Sequence, residues 1–124
     1  MTFQLGEYYT RADIHNELGG GIQDFLPHVD GRVVCGCFTS DLNPNAPWEI
    51  LPGNGPDIIH WAEVFRQQGN AIPVFLKREV NRWEYTGMWR AGEIIKNQQE
   101  IAEREQRTGR TDISMIVTLI KDVD

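Results

Sequence analysis

Two of the chain's four tryptophans frame the run Trp83-Glu84-Tyr85-Thr86-Gly87-Met88-Trp89. Rings of this size are the side chains on which a flat ligand can stack. Trp83, Tyr85 and Trp89 share parity, so on an unbroken strand they lie on one face, with Gly87 between them. Two readings stay open: a stripe of core, or the lining of a slot in which a planar group stacks on Trp89 or Tyr85. A second candidate wall is Trp48, which ends the loop Asp41-Leu42-Asn43-Pro44-Asn45-Ala46-Pro47. Two prolines stiffen that loop, and its Asn side chains can bond neighbouring backbone. A stiff loop loses less entropy when it closes on a ligand. Asp41 and Asn43 carry the acceptors and donors that read a base edge. The competing account is a turn-rich connection pinned by a buried Trp48.

Other chemistries find less support. Cys35 and Cys37 sit at i and i+2 on a strand-like segment. That spacing puts their Cα atoms roughly 6–7 Å apart on one face, at or beyond disulfide range. His15, His28 and His60 are scattered, so no compact zinc set forms. The expectation is two reduced, buried, metal-free thiols packing as small apolar groups. As nucleophiles they would need a histidine and an orienting group, which the sequence does not place beside them. Gly19-Gly20-Gly21 follows a helical stretch and lacks the strand before and the Lys-Ser/Thr after that phosphate loops require. It reads as a helix stop. Acid–base work by Asp13, Asp41 or Glu49 is specific for none of them. No catalytic residue, metal or cofactor is assigned, and the balance lies against an enzyme.

Composition bounds the rest. The 124 residues make one domain, 1–124, with 40% hydrophobic and 24% charged residues, an ordinary globular balance. No apolar run approaches the roughly 18 residues that span a bilayer, and residues 1–6 lack the pattern of a signal peptide. A cytoplasmic location and no membrane association are the expectation. The net charge of −6 argues against strong, unspecific affinity for nucleic acid. Between residues 71 and 96, however, Lys77, Arg78, Arg82, Arg90 and Lys96 outnumber Glu79, Glu84 and Glu93.

The elements that must position these groups follow from periodicity. Thr10 caps a short helix over 10–18 with Ile14 and Leu18 on its buried stripe. Residues 32–39 read as a core strand. Pro56 and Asp57 start a helix over 57–68, with Ile58, Trp61, Ala62 and Phe65 at helical spacing and Gly69 as its stop. Residues 71–78 and 82–90 form an antiparallel pair around Glu79-Val80-Asn81, with a further strand over 91–95. A polar, solvated helix covers 97–107. The last strand, 113–120, is nearly continuous in apolar residues and so buried on both faces. This order predicts an α+β fold: a curled mixed β-sheet or small barrel with two or three flanking helices.

Four segments also carry a resemblance. Tyr9-Thr10-Arg11-Ala12-Asp13-Ile14-His15, then Gly19-Gly20-Gly21-Ile22, then Cys37-Phe38-Thr39, then Trp83-Glu84-Tyr85-Thr86-Gly87 together resemble the SRA-like modified-base reader domains. These accompany HNH nucleases in modification-dependent restriction systems. The resemblance spans residues 8 to 90 and implies a PUA-like curled barrel that binds DNA carrying a modified base. In such readers the base is flipped out, stacked on aromatics and read by polar groups. It further implies Arg11 as a phosphate contact. The HNH motif itself is missing, so cleavage calls for a nuclease partner.

The reading is a non-catalytic module recognising a modified nucleobase, with Arg11, Asp41, Asn43, Trp48, Tyr85 and Trp89 as the ligand-binding set. The alternatives are a small enzyme or sensor for a nucleotide-like polar ligand in the same pocket, or a homo-oligomeric protein-interaction module. The sequence leaves the oligomeric state open.

Overall fold

The computed structural model describes residues 3–122. In chain order the elements are β1 (Tyr8–Tyr9), α1 (Arg11–Leu18), β2 (His28–Val29), β3 (Arg32–Val33), β4 (Gly36–Thr39), β5 (Glu49–Ile50), α2 (Pro56–Gln68), β6 (Ile72–Glu79), β7 (Arg82–Ile95), α3 (Gln98–Thr108) and β8 (Ile116–Lys121). The main sheet runs β4-β6-β7-β8-β5, and β1 pairs with β7. The β4–β6 pair is parallel and the other pairs are antiparallel. This is the expected α+β architecture with a mixed sheet and three helices. Among the described residues β4 and β5 do not pair, so the sheet stays open and does not close into a barrel.

The expected strand over 32–39 is interrupted. Asp30 (φ 51°) and Gly31 (φ 80°) are both left-handed, as a two-residue hairpin turn of the favoured hand requires. They fold β2 and β3 into a small separate hairpin. Only after Val34 and Cys35 does the chain enter the main sheet as β4. The Asp-Gly dipeptide was the sequence signal for this break. Residues 91–95, expected as a further strand, are the continuation of β7, which is 14 residues long.

β7 is long enough to serve both faces of the sheet because it carries a bulge. Phe75 pairs with Tyr85, yet Pro73 pairs with Met88, so β7 spends one residue more than β6 across this step. Gly87 absorbs the irregularity at φ 106°, a backbone state that a glycine enters without steric cost. The shift reverses the facing of everything beyond it. Trp83 and Tyr85 pack with Phe3, Ile14, Cys35, Cys37 and Phe75. Trp89 instead joins Phe38, Phe65, Ile72 and Val74 in the larger core. The shared face expected for the three aromatics held only for an unbroken strand, and the bulge breaks it.

Helix ends follow their caps. The Thr10 hydroxyl accepts from the Asp13 amide while the Asp13 carboxylate accepts from the Thr10 amide, a reciprocal box. Asn97 accepts from the Gln99 and Glu100 amides. Gly69 and Gly109 end α2 and α3 in the left-handed conformation. The polar α3 is anchored by Ile101, buried with Leu51, Ile113 and Ile116. Arg104 is a second anchor, its Nε and one terminal nitrogen donating to the two oxygens of Glu49 at 3.0 Å each. β8 is buried through Ile116, Val117 and Leu119, but Ile120 is exposed.

Candidate functional site

A cavity of about 400 Å³ opens where the α1-side face of the sheet ends. The register sets its floor. Cys37 and Thr39 on β4 lie opposite Phe75 and Lys77 on β6, and Lys77 lies opposite Trp83 on β7. All of these side chains therefore point to one face. Ile22, Gln23 and Phe25, from the stretch after the triple glycine, form one wall. Leu42 and Asn43 form another, and Arg11 with Asn81 closes the third side. The volume falls in the range of small-ligand sites, and the lining mixes two aromatic rings, Phe25 and Trp83, with six polar or charged residues.

Trp83 is 6% exposed and faces the two cations of the cavity. The Arg11 guanidinium carbon lies 5.0 Å from its ring centroid and Lys77 Nζ lies 5.9 Å away, within cation–π range. Arg11 also ties down the neighbouring wall, because one terminal nitrogen donates to the Gly21 and Asp24 carbonyls at 3.1 and 3.0 Å. The Arg11 backbone amide donates to Asn81 Oδ1 at 3.1 Å. Arg11 Nε is buried without a partner among the described residues. Arg11 is thus a structural strut between α1, the 21–24 turn and the β6–β7 turn, as well as a wall of the cavity.

The outer wall is held as firmly. Asn43, the buried polar residue of the loop, donates to the Thr39 carbonyl at 3.2 Å and accepts from the Leu51 amide at 2.8 Å. One terminal nitrogen of Arg110 donates to the carbonyls of Leu42 and Leu51 at 3.0 and 2.8 Å. Its other nitrogens engage Asp112, which keeps that carboxyl below its usual range. Both ends of the loop are therefore clasped from the body of the protein.

Of the residues expected to bind ligand, Arg11 and Asn43 come together at this cavity. The Asn43 side chain already bonds two backbone groups of its own loop. Asp41 lies in an adjoining cleft that shares Thr39, Leu42 and Lys77 with the cavity. Tyr85 lines neither space and is buried against Phe3 and Phe75. Trp48 and Trp89 lie elsewhere: their rings meet edge to face at 4.9 Å, and Trp89 Nε1 donates to the Thr86 carbonyl at 3.1 Å. Trp48 is 64% exposed and not the buried pin of its loop. Gln23, Phe25, Lys77, Asn81 and Trp83 were not in the expected set. Trp83 was within reach of sequence reasoning as a member of the aromatic stripe. The others depend on which loops the fold brings together.

Cys35 and Cys37 are free and buried. A hydrogen bond with Cys37, burial and the neighbouring thiol together push the Cys35 thiol far above its usual range. Among the described residues no group of three or more His, Cys, Asp or Glu side chains is placed to hold a metal ion, and no helix is long and apolar enough to cross a membrane.

No protein-family model matches the chain, and no curated protein matches it in sequence. Two solved structures share its fold. The complex of the SUVH5 SRA domain with hemimethylated CG DNA superposes with a TM-score of 0.64 at 10% identity, over 100% of this chain and 91% of that one. The modification-dependent TagI restriction endonuclease gives a TM-score of 0.57 at 10% identity, over 99% of this chain and 51% of that one. The fold is structurally related to the SRA type.

The electrostatics of the site are local. On the β6–β7 hairpin Arg78 pairs with Glu84 and Arg82 with Glu79, so these two arginines are matched by carboxylates. Lys77 and Arg11, both facing Trp83, remain without a carboxylate partner among the described residues. The cavity therefore offers an aromatic face, a concentrated positive field, and amide groups from Gln23 and Asn81.

Proposed function

We propose that the chain is a non-catalytic module that receives a modified nucleobase, flipped out of DNA, in the cavity beside Trp83, with cleavage left to a nuclease partner. The observation that carries this reading is the cavity itself: an indole wall, two cations and side-chain amides in about 400 Å³. A planar group stacks on Trp83 and Phe25, while Gln23 and Asn81 read its polar edge. Arg11 holds the wall in place and contributes positive charge. Trp89, Trp48 and Tyr85 have supporting parts in this account. The fold likeness to an SRA domain in complex with DNA and to a modification-dependent nuclease supports the same reading.

The rim adds to it. Ile22 and Leu42, about half exposed, line the cavity, and Val80, 87% exposed, stands at the tip of the β6–β7 turn. Apolar side chains at such a rim can enter the gap that a flipped base leaves in the stack.

The test is a fluorescence titration with duplexes that differ only in one cytosine, unmodified or modified. Base stacking on a ring is worth roughly 1–3 kcal/mol, so Trp83→Ala should weaken binding of the modified duplex about tenfold or more. Gln23→Ala, at an exposed position, should reduce the preference between duplexes without touching stability. Equal affinity for every duplex, with saturable binding of a free nucleotide, would move the function to a small-ligand sensor.

A further inference from the structure

Beside the cavity lies a second cleft of about 420 Å³, joined to it along Thr39, Leu42 and Lys77. The two chambers differ in chemistry. The cavity is walled by Trp83 and Phe25, whereas the cleft adds Ser40, Asp41, Arg78 and Glu79. Among the described residues the side chains of Thr39, Ser40 and Asp41 make no hydrogen bond and no ion pair. Among the described residues Lys77 has only the Trp83 ring as partner. Two hydroxyls, a carboxylate and an ammonium thus line one space with no hydrogen-bond or ion-pair partner from the described residues.

We propose that this cleft is an annex for a neutral, polyhydroxylated substituent on the base, a saccharide, so that the modification read is a glycosylated one. The inference rests on the base-reading function proposed above. Hydroxyl groups both donate and accept. A carboxylate that only accepts, an ammonium that only donates, and hydroxyls that do both can satisfy such a ligand on several sides.

The charges exclude the simpler occupants. Arg78 is neutralised by Glu84 and Glu79 by Arg82, leaving Asp41 and Lys77, one of each sign. A phosphate would sit against the Asp41 carboxylate, and like charges at contact distance repel. A cationic group would meet Lys77 in the same way. A bare methyl can hydrogen-bond to none of the four polar groups. A neutral polyol uses all of them.

The experiment measures the affinity of the intact chain for four matched duplexes, by fluorescence anisotropy. Their central cytosine is unmodified, 5-methylated, 5-hydroxymethylated, or 5-hydroxymethylated and glucosylated. The glucosylated duplex is expected to bind at least tenfold more tightly than the hydroxymethylated one. Ser40→Trp, at an exposed position that fills the annex, should abolish this advantage and leave the hydroxymethylated duplex bound as before. Equal or weaker binding of the glucosylated duplex, with the other modified duplexes preferred over the unmodified, overturns the annex and leaves base reading intact. A glucosyl preference that survives Ser40→Trp overturns the annex as its location. Identical affinity for all four duplexes overturns both proposals.

Discussion

Trp83 and Trp89 lie on the same strand yet on opposite faces of the sheet, Trp83 across from Lys77 and Trp89 across from Ile72. The first belongs to the cavity and the second to the main core. Both rings are buried, so their substitutions should differ in their effect on binding. Trp89→Ala is expected to lower the unfolding free energy by about 3–5 kcal/mol, read as a drop in the urea midpoint. At temperatures where that variant stays folded, it should bind ligand with unchanged affinity. Trp83→Ala, at a side chain buried in the smaller core, should cost comparable stability, but at temperatures where it stays folded it alone should also weaken binding.

Gly87 lets that reversal happen. A Cβ there would meet Leu5 at 3.4 Å, an ordinary contact, so the obstacle to substitution is backbone conformation alone. Gly87→Ala is expected to destabilise by about 1–3 kcal/mol, visible as a lowered thermal midpoint. A neutral result would mean that the bulge is not strained.

Glu49 and Arg104 supply an acid-sensitive contact. The Arg104 hydrogen bonds hold the Glu49 carboxyl below its ordinary value, against the opposing effect of burial. A carboxylate with a depressed folded-state pKa stabilises the fold fully above its unfolded value, about 4.3, and loses that contribution as pH falls through the lower one. Arg104→Met should accordingly reduce stability at pH 7 by about 2 kcal/mol. The difference from wild type should shrink below pH 4 in urea titrations.

Cys35 and Cys37 should react slowly with a thiol reagent in the native protein and at once after denaturation. Burial and the raised Cys35 thiol both suppress the thiolate that reacts,. Fast labelling of the folded chain would show that the floor of the cavity opens.

Salt should matter little. With Arg78 and Arg82 paired to glutamates, few cations near the cavity are free to displace counterions. The slope of log affinity against log salt should be no steeper than about −2. A slope near −5 would indicate a phosphate-binding surface elsewhere on the chain.

Much of the architecture was readable from periodicity and caps. The helices at Arg11–Leu18, Pro56–Gln68 and Gln98–Thr108 fall within a residue or two of their expected bounds, with Thr10, Pro56 and Gly69 marking ends of the first two. The β6–β7 pair was legible for the same reason. The bulge at Gly87 was not, since parity arguments assume that no residue is skipped and a glycine in a strand does not announce which partner shifts. The cavity was only half legible. Arg11 and Asn43 carry visible chemistry, but Gln23, Lys77 and Asn81 become neighbours only through the parallel β4–β6 pairing and the close approach of α1 to a distant turn. Trp48, 64% exposed, is not the pin that a large ring in a proline-rich loop suggests. Here Asn43 and Arg110 hold the loop instead, and the indole is free to face solvent.

The Arg110 clasp ties the wall at Leu42 and Leu51 to a turn 68 and 59 residues further along the chain. Ligand-facing residues and the residue that sets their position are thus encoded far apart. In a lineage of such chains, a lengthened or shortened 42–51 loop would leave Arg110 without its carbonyls unless residues 110–112 changed with it. The two segments should be inherited as a matched pair, and a loop transplanted between relatives should function only when it travels with its own 110–112 turn.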